Sequence, residues 1–165
     1  MKIINTILIL FGVCLLASGA TPLLMKQQDL CTFWVKNNPN YKVEFSADKC
    51  TATCLKNERK ALAIQSRNIT TLKPGVQYLV TFQARGTTNS LDFLPQFNGK
   101  RDSTQLKNYK ITDSWQTYQT TLKVPEGCKR FSCAIYAWNQ KGFFEIKDFS
   151  ITLNETSTNG VGNEK

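Results

Sequence analysis

The chain has 165 residues, 20% of them charged, a formal net charge of +9 and no histidine. The missing histidine removes Ser-His-Asp and Cys-His machinery, histidine general bases and ordinary histidine metal sites, leaving carboxylate-only chemistry such as that of glycosidases. Lys and Arg are scattered, with Lys56 to Lys60 and Lys100-Arg101 the longest groupings. That pattern is a solvated surface rather than a nucleic-acid-binding stripe.

Residues 1–20 read as a secretory signal. Lys2 supplies the positive start, Ile7 to Ala17 an apolar run, and Ser18-Gly19-Ala20 a small-residue cleavage site. The run is too short to span a bilayer comfortably and no second one follows, so a secreted, extracellular protein without a transmembrane segment is expected. Cys14 lies in the run, but Phe11-Gly12-Val13 before it make a poor lipid-attachment box. Residues 21–30 form a short lead-in of weak helical character. Beyond the signal remain Cys31, Cys50, Cys54, Cys128 and Cys133. An oxidising compartment makes disulfides the default, and the odd number leaves one thiol that could link two chains in a dimer. The CxxxC and CxxxxC spacings suit a zinc site poorly. Asn68-Ile69-Thr70 and Asn154-Glu155-Thr156 are glycosylation sequons.

From Cys31 the pattern turns to strands. Thr32 to Val35 is apolar and aromatic, and Trp34 is expected in the core. Asn37-Asn38-Pro39-Asn40 is a turn. Tyr41, Val43 and Phe45 alternate with Lys42 and Glu44, as in a half-buried strand. Asp48 to Arg59 is polar and reads as a loop, and Ala61 to Ser66 as a short strand. The cleanest element runs from Lys73 to Gly86. Tyr78, Val80, Phe82 and Ala84 share a core face, opposite Leu79, Thr81, Gln83 and Arg85. Leu91, Phe93 and Phe97 mark a strand in which Pro95 argues for an edge or bulge. Asn98 to Asn108 is a long polar loop.

Trp115 and Tyr118 are expected in the core at the entry to a strand carrying Tyr118, Thr120, Leu122 and Val124 on one face. Phe131, Cys133, Ile135 and Ala137 then alternate against Ser132, Ala134, Tyr136 and Trp138. Asn139 to Gly142 is hairpin-like. In the last strand the apolar step from Ile146 to Phe149 is three, so a bulge at Lys147-Asp148 is needed to restore register. Residues 154–165 are polar and expected to be disordered. The sum is an all-β, two-sheet antiparallel β-sandwich over residues 31–153.

Three stretches carry a resemblance. They are Pro74 to Arg85, then Ile111 to Tyr118 followed by Val124-Pro125-Glu126-Gly127, and Phe144 to Ile151. In that order they resemble the jelly-roll carbohydrate-binding modules of families four, nine and twenty-two, which are galactose-binding-domain-like. The resemblance covers about half the chain and implies a jelly roll that binds a glycan or polysaccharide without catalysis. It also implies a structural calcium, with Asp148 at the closing acidic position, although no cofactor is required. Residues Cys31 to Arg59 match only loosely.

Sugar binding needs flat aromatic rings for C–H faces and amide, carboxylate or guanidinium groups for hydroxyls. If their strands belong to one sheet, Gln83 and Arg85 line one surface with Tyr136 and Trp138. That surface is the expected ligand site. Two other readings stand beside it. One is a surface or matrix protein using the same sandwich for a protein partner. The other is a small glycoside hydrolase, which would need a facing carboxylate pair that no strand face supplies.

Overall fold

The computed structural model describes residues 23–31, 39–56, 61–138 and 140–154. The signal at 1–20, the Thr32 to Val35 strand with Trp34, and the tail beyond Asn154 lie outside those residues.

Among the described residues twelve strands form two antiparallel sheets. They are β1 (Leu23–Lys26), β2 (Leu30–Cys31), β3 (Tyr41–Phe45), β4 (Lys49–Cys54), β5 (Ala61–Ser66), β6 (Gln77–Gly86), β7 (Ser90–Phe97), β8 (Lys100–Arg101), β9 (Lys107–Lys110), β10 (Gln116–Lys123), β11 (Phe131–Trp138) and β12 (Gly142–Leu153). Sheet A has the order β10-β6-β12-β4-β3, with β1 also on β12. Sheet B has the order β2-β5-β11-β7-β8, with β9 also on β7. The expected two-sheet sandwich is therefore what the chain forms. The lead-in differs: Leu23 to Lys26 is a strand of sheet A and only Gln27–Asp29 is helical, as one 3-10 turn.

From β4 to β7, and again from β9 to β12, consecutive strands change sheet. The link expected to be hairpin-like thus joins β11 in sheet B to β12 in sheet A, not two neighbours of one sheet. Turn-forming residues mark a reversal of direction without saying which sheet receives the next strand. A true hairpin occurs at Asn98-Gly99, where both residues have positive φ (52° and 79°), joining β7 to β8.

The segment expected as a loop from Asp48 contains β4, an inner strand of sheet A. Cys50, Ala52 and Cys54 face the core while Lys49, Thr51 and Thr53 face out. Small residues hide its alternation from any hydrophobicity count. The opening stretch behaves as read: Tyr78, Val80, Phe82 and Ala84 are all buried and the residues between them half-buried. Phe82 lies at the centre of an aromatic cluster, 5.6 Å from Tyr118 in a stacked pair, 5.5 Å from Tyr109 edge-on and 6.5 Å from Phe149. Tyr118 packs against the core. Burying one such ring contributes about 1.5–3 kcal/mol.

Strand β12 organises sheet A. One edge pairs with β6 along nearly its whole length; the other takes β4 at Gly142 to Lys147 and β1 at Ser150 to Thr152. Its register with β6 shifts between Lys147 and Ser150, and Asp148 has φ 53°. That is the expected bulge. It keeps Phe144 and Ile146 on the same buried face as Phe149 and Ile151. Gly86 sits opposite Phe144 across the β6–β12 ladder, where an added Cβ would lie 2.8 Å from Phe144 Cα.

Candidate functional site

The outer face of sheet B is built from alternating residues of five strands. On β11, Ser132, Ala134, Tyr136 and Trp138 point away from the core, because Phe131, Cys133, Ile135 and Ala137 point into it. Register fixes their neighbours. Tyr136 lies opposite Ala63 of β5 and Asp92 of β7, and Asp92 lies opposite Asn108 of β9. Ala134 lies between Gln65 and Leu94, and Ser132 beside Gln96, which in turn faces Arg101 of β8. Ser90 lies opposite Lys110. Ala63, Leu94 and Ala134 are buried yet stand outside the core cluster, so they make an apolar floor on this outer face.

Three large apolar side chains are exposed among the described residues: Phe45, Leu55 and Trp138. Trp138, 54% exposed, stands at the end of this floor. The next described residue, Gln140, ties the neighbouring strand entry down. Its Oε1 accepts from the Asn89 and Ser90 amides, and its Nε2 donates to the Ser90 carbonyl. Asp92 accepts a hydrogen bond from Asn108 Nδ2 at 2.6 Å. It also lies directly across the ladder from Tyr136, close enough for its charge to act on the phenol. Burial, followed by the Asp92 charge, pushes the Tyr136 hydroxyl above its ordinary range, with nearby Arg101 opposing. The phenol therefore stays protonated as a donor while its ring stays half-exposed. A flat ring, an apolar floor and fixed amide, carboxylate and guanidinium groups are what a polyhydroxylated ligand requires.

The other half of the expected surface is elsewhere. Gln83 and Arg85 are on β6 in sheet A, so they lie on the opposite outer face of the sandwich and do not join Tyr136 and Trp138. Alternation gives the face of each strand but not its sheet, and the one-sheet condition fails. Arg85 is committed there. Its Nε donates to Glu145 Oε2 at 2.6 Å, while Lys49 Nζ reaches Glu145 Oε1 at 2.5 Å and Thr51 Oγ1 donates to the same oxygen at 3.2 Å. Trp115 is not a core residue. It is half-buried on this face, with the Arg85 guanidinium 4.9 Å and the Lys147 ammonium 4.6 Å from its ring centroid. Glu145 is 6% exposed. Burial raises its carboxyl's pKa, but the hydrogen bonds and charges of Lys49 and Arg85 outweigh this and hold it below the usual value. On this face Arg85 and Lys49 are both held by Glu145.

Asp148 occupies the left-handed position of the bulge and lines a depression with Gln28, Asp48 and Lys147. Calcium needs six to eight oxygens. Here two carboxylates and one amide share the depression with a lysine cation, and no group of three Asp, Glu, His or Cys side chains converges among the described residues. Asp48 is already engaged by Ser46 Oγ at 2.6 Å. With the Ser150 hydroxyl, the described side chains of the depression by themselves supply fewer free oxygens than a calcium ion takes. The expected disulfides also differ, since none joins any two of Cys50, Cys54, Cys128 and Cys133, all of which are buried. Cys50 and Cys54 share a strand face four residues apart, which separates their Cα atoms by roughly 13 Å, beyond disulfide reach. The Cys54 thiol donates instead to the Lys56 carbonyl and that of Cys128 to the Arg130 carbonyl.

The sandwich superposes on a CBM4 structure with a TM-score of 0.59 at 13% identity, covering 77% of this chain and 96% of that one. The fold is that of jelly-roll carbohydrate-binding modules. A second jelly roll of this kind is the CBM22-1 xylan-binding domain of Paenibacillus barcinonensis Xyn10C, with a TM-score of 0.56 at 14% identity over 83% of this chain and 97% of that one. A third similar structure is the CBM22-1-GH10 modules of Clostridium thermocellum xylanase 10B complexed with xylohexaose. There the TM-score is 0.57 at 12% identity, over 88% of this chain and 29% of that one. At such identities the likeness is one of fold. No protein-family model and no curated protein matches the sequence.

The sequence pointed to Tyr136 and Trp138 but passed over Gln65, Asp92, Gln96, Arg101 and Asn108 as their neighbours. The alternation of Ser90, Asp92, Leu94 and Gln96 against Leu91 and Phe93 was a signal for one row of them. Their partnership with β11 needed the strand order.

Proposed function

We propose that the protein is a secreted, non-catalytic carbohydrate-binding protein that holds a glycan on the outer face of sheet B. The observation that carries this is the exposed Trp138 ring beside Tyr136, on a face whose Asp92 and Asn108 are already fixed by hydrogen bonds. A pyranose ring stacks its C–H face on Trp138, and hydroxyls of further sugar units along the face meet Asn108 and, beyond it, Gln96. The jelly-roll fold supports the reading, because the CBM22-1 domain it resembles is described as xylan-binding. The charge on the face supports the absence of catalysis. Asp92 is the single carboxylate among the residues named there, whereas glycoside hydrolysis uses a facing pair. The signal-like stretch at 1–20 supports secretion.

The test is retention on a panel of soluble and insoluble polysaccharides, comparing the native protein with Trp138→Ala. Loss of a stacked ring is expected to weaken binding by about tenfold or more, with thermal stability unchanged because the ring is exposed. Failure of the native protein to bind any polysaccharide would sink the proposal. Capture of a protein ligand through the same residues would favour an interaction module instead.

A further inference from the structure

We infer that the saccharide taken by this face is acidic, carrying carboxylate or sulfate groups, and that Arg101 and Lys110 receive those groups. The inference rests on the glycan reading above and names the class of glycan.

Register places both cations on the face. Arg101 is opposite Gln96 and Lys110 opposite Ser90, and Gln96 and Ser90 alternate in phase with Asp92 between them. Both side chains belong to exposed residues of edge strands flanking β7. Six residues separate Gln96 from Ser90, so the cations stand roughly 20 Å apart along the face, with the Tyr136–Asp92–Asn108 row between them. An extended oligosaccharide lying along β7 would meet a cation at each end and the aromatic row in its middle.

The charge balance is one-sided. Three salt bridges are present among the described residues, Lys42–Glu44, Lys49–Glu145 and Arg85–Glu145, and all belong to sheet A. Among the described residues neither Arg101 nor Lys110 is ion-paired. Asp92, the one carboxylate of the face among the described residues named for it, accepts from Asn108. Sheet A therefore pairs Lys42, Lys49 and Arg85 with carboxylates, while the outer face of sheet B leaves a guanidinium and an ammonium facing solvent beside an apolar floor. A guanidinium takes a carboxylate or a sulfate ester through two parallel hydrogen bonds. A neutral glycan would leave both charges without a partner. The formal charge of +9 adds a long-range attraction of the same sign.

The experiment compares retention on polygalacturonate, chondroitin sulfate and desulfated chondroitin with retention on neutral xylan and mixed-linkage β-glucan. The proteins are the native chain, the double variant Arg101→Gln/Lys110→Gln, and Trp138→Ala, each checked for native melting temperature. Duplex DNA serves as a polyanion without pyranose rings. The expected result is at least about tenfold tighter binding of the acidic polymers, weakened by added salt because both cations are exposed. The double variant and Trp138→Ala should each lose that binding by about tenfold. Preference for polygalacturonate assigns a carboxylate, and loss of binding on desulfation assigns a sulfate. Four results overturn the inference: equal retention of neutral and acidic polymers, acidic binding untouched by the double variant, acidic binding untouched by Trp138→Ala, or DNA held as well as the polysaccharides. The first of these would leave the glycan platform standing. Retention of no polysaccharide at all would remove both readings.

Discussion

Removing the Glu145 carboxylate should destabilise the sandwich measurably without touching the proposed ligand face. In Glu145→Ala, Lys49 and Arg85 lose hydrogen bonds of 2.5 and 2.6 Å to a carboxylate that is 6% exposed, and Thr51 loses one of 3.2 Å. A hydrogen bond to a charged group is worth roughly 1.5–3 kcal/mol. The Lys49 and Arg85 side chains are 33% and 37% exposed, so both cations recover hydration when their partner goes. Discounting each bond by about half for that screening leaves a net loss of about 2 kcal/mol. In a domain of this size that is a fall in melting temperature of roughly 6–10 °C. Thermal unfolding followed by circular dichroism at pH 7 reads it.

The pH dependence has a fixed sign. The folded carboxyl lies below its ordinary value of 4.5, so its contribution is fully present above that value and disappears as the pH falls through the lower folded one. The gap between native and variant melting temperatures should therefore close on acidification. A variant within 1 °C of the native protein at neutral pH, or a gap that persists in acid, would refute the accounting.

Three further outcomes follow from the same geometry. Gly86→Ala should cost at least about 2 kcal/mol in urea unfolding, because the new methyl meets the backbone of β12, which cannot yield as a side chain would. Trp115→Ala and Trp138→Ala should separate cleanly. The first loses two cation–π contacts and the cover over Arg85 and Lys147, lowering stability by about 1–2 kcal/mol, while the second leaves the melting curve in place. Alkylation under native conditions should spare Cys54 and Cys128, which are buried, and label both once the chain is unfolded without reductant. A mass spectrum showing either of them in a disulfide would contradict the packing described for β4 and the Cys128 loop.

The fold was legible where large apolar residues alternate. Tyr78 to Ala84 and Phe131 to Ala137 announced their faces, and the three-residue step from Ile146 to Phe149 announced a bulge that the Asp148 backbone confirms. Strand β4 was not legible, because Cys, Thr and Ala alternate with too little contrast in size or polarity. The site was half legible. Tyr136 and Trp138 were identifiable as outward-facing aromatics, but Gln83 and Arg85 were joined to them on the assumption of a shared sheet. Side-chain period carries no information about strand order, and strand order alone separates these pairs. Trp115 misled for a related reason: an aromatic at a strand entry reads as core, yet its ring is held by two cations on an outer face.

The bulge in β12 has a consequence for what the chain can tolerate. Before it, Gly142 to Lys147 share an edge with β4; after it, Ser150 to Thr152 share that edge with β1. One extra residue lets two distant segments be spliced end to end along a single strand. Deleting Asp148 would do more than remove a surface carboxylate. It would turn the bulge into regular ladder, with Phe149, Ile151 and Leu153 following Ile146 at steps of two on the core face, and would remove the bend at which β12 leaves β4 for β1. The first strand of the domain docks just past that bend, so straightening β12 near the C-terminal end would shift the edge offered to the N-terminal one.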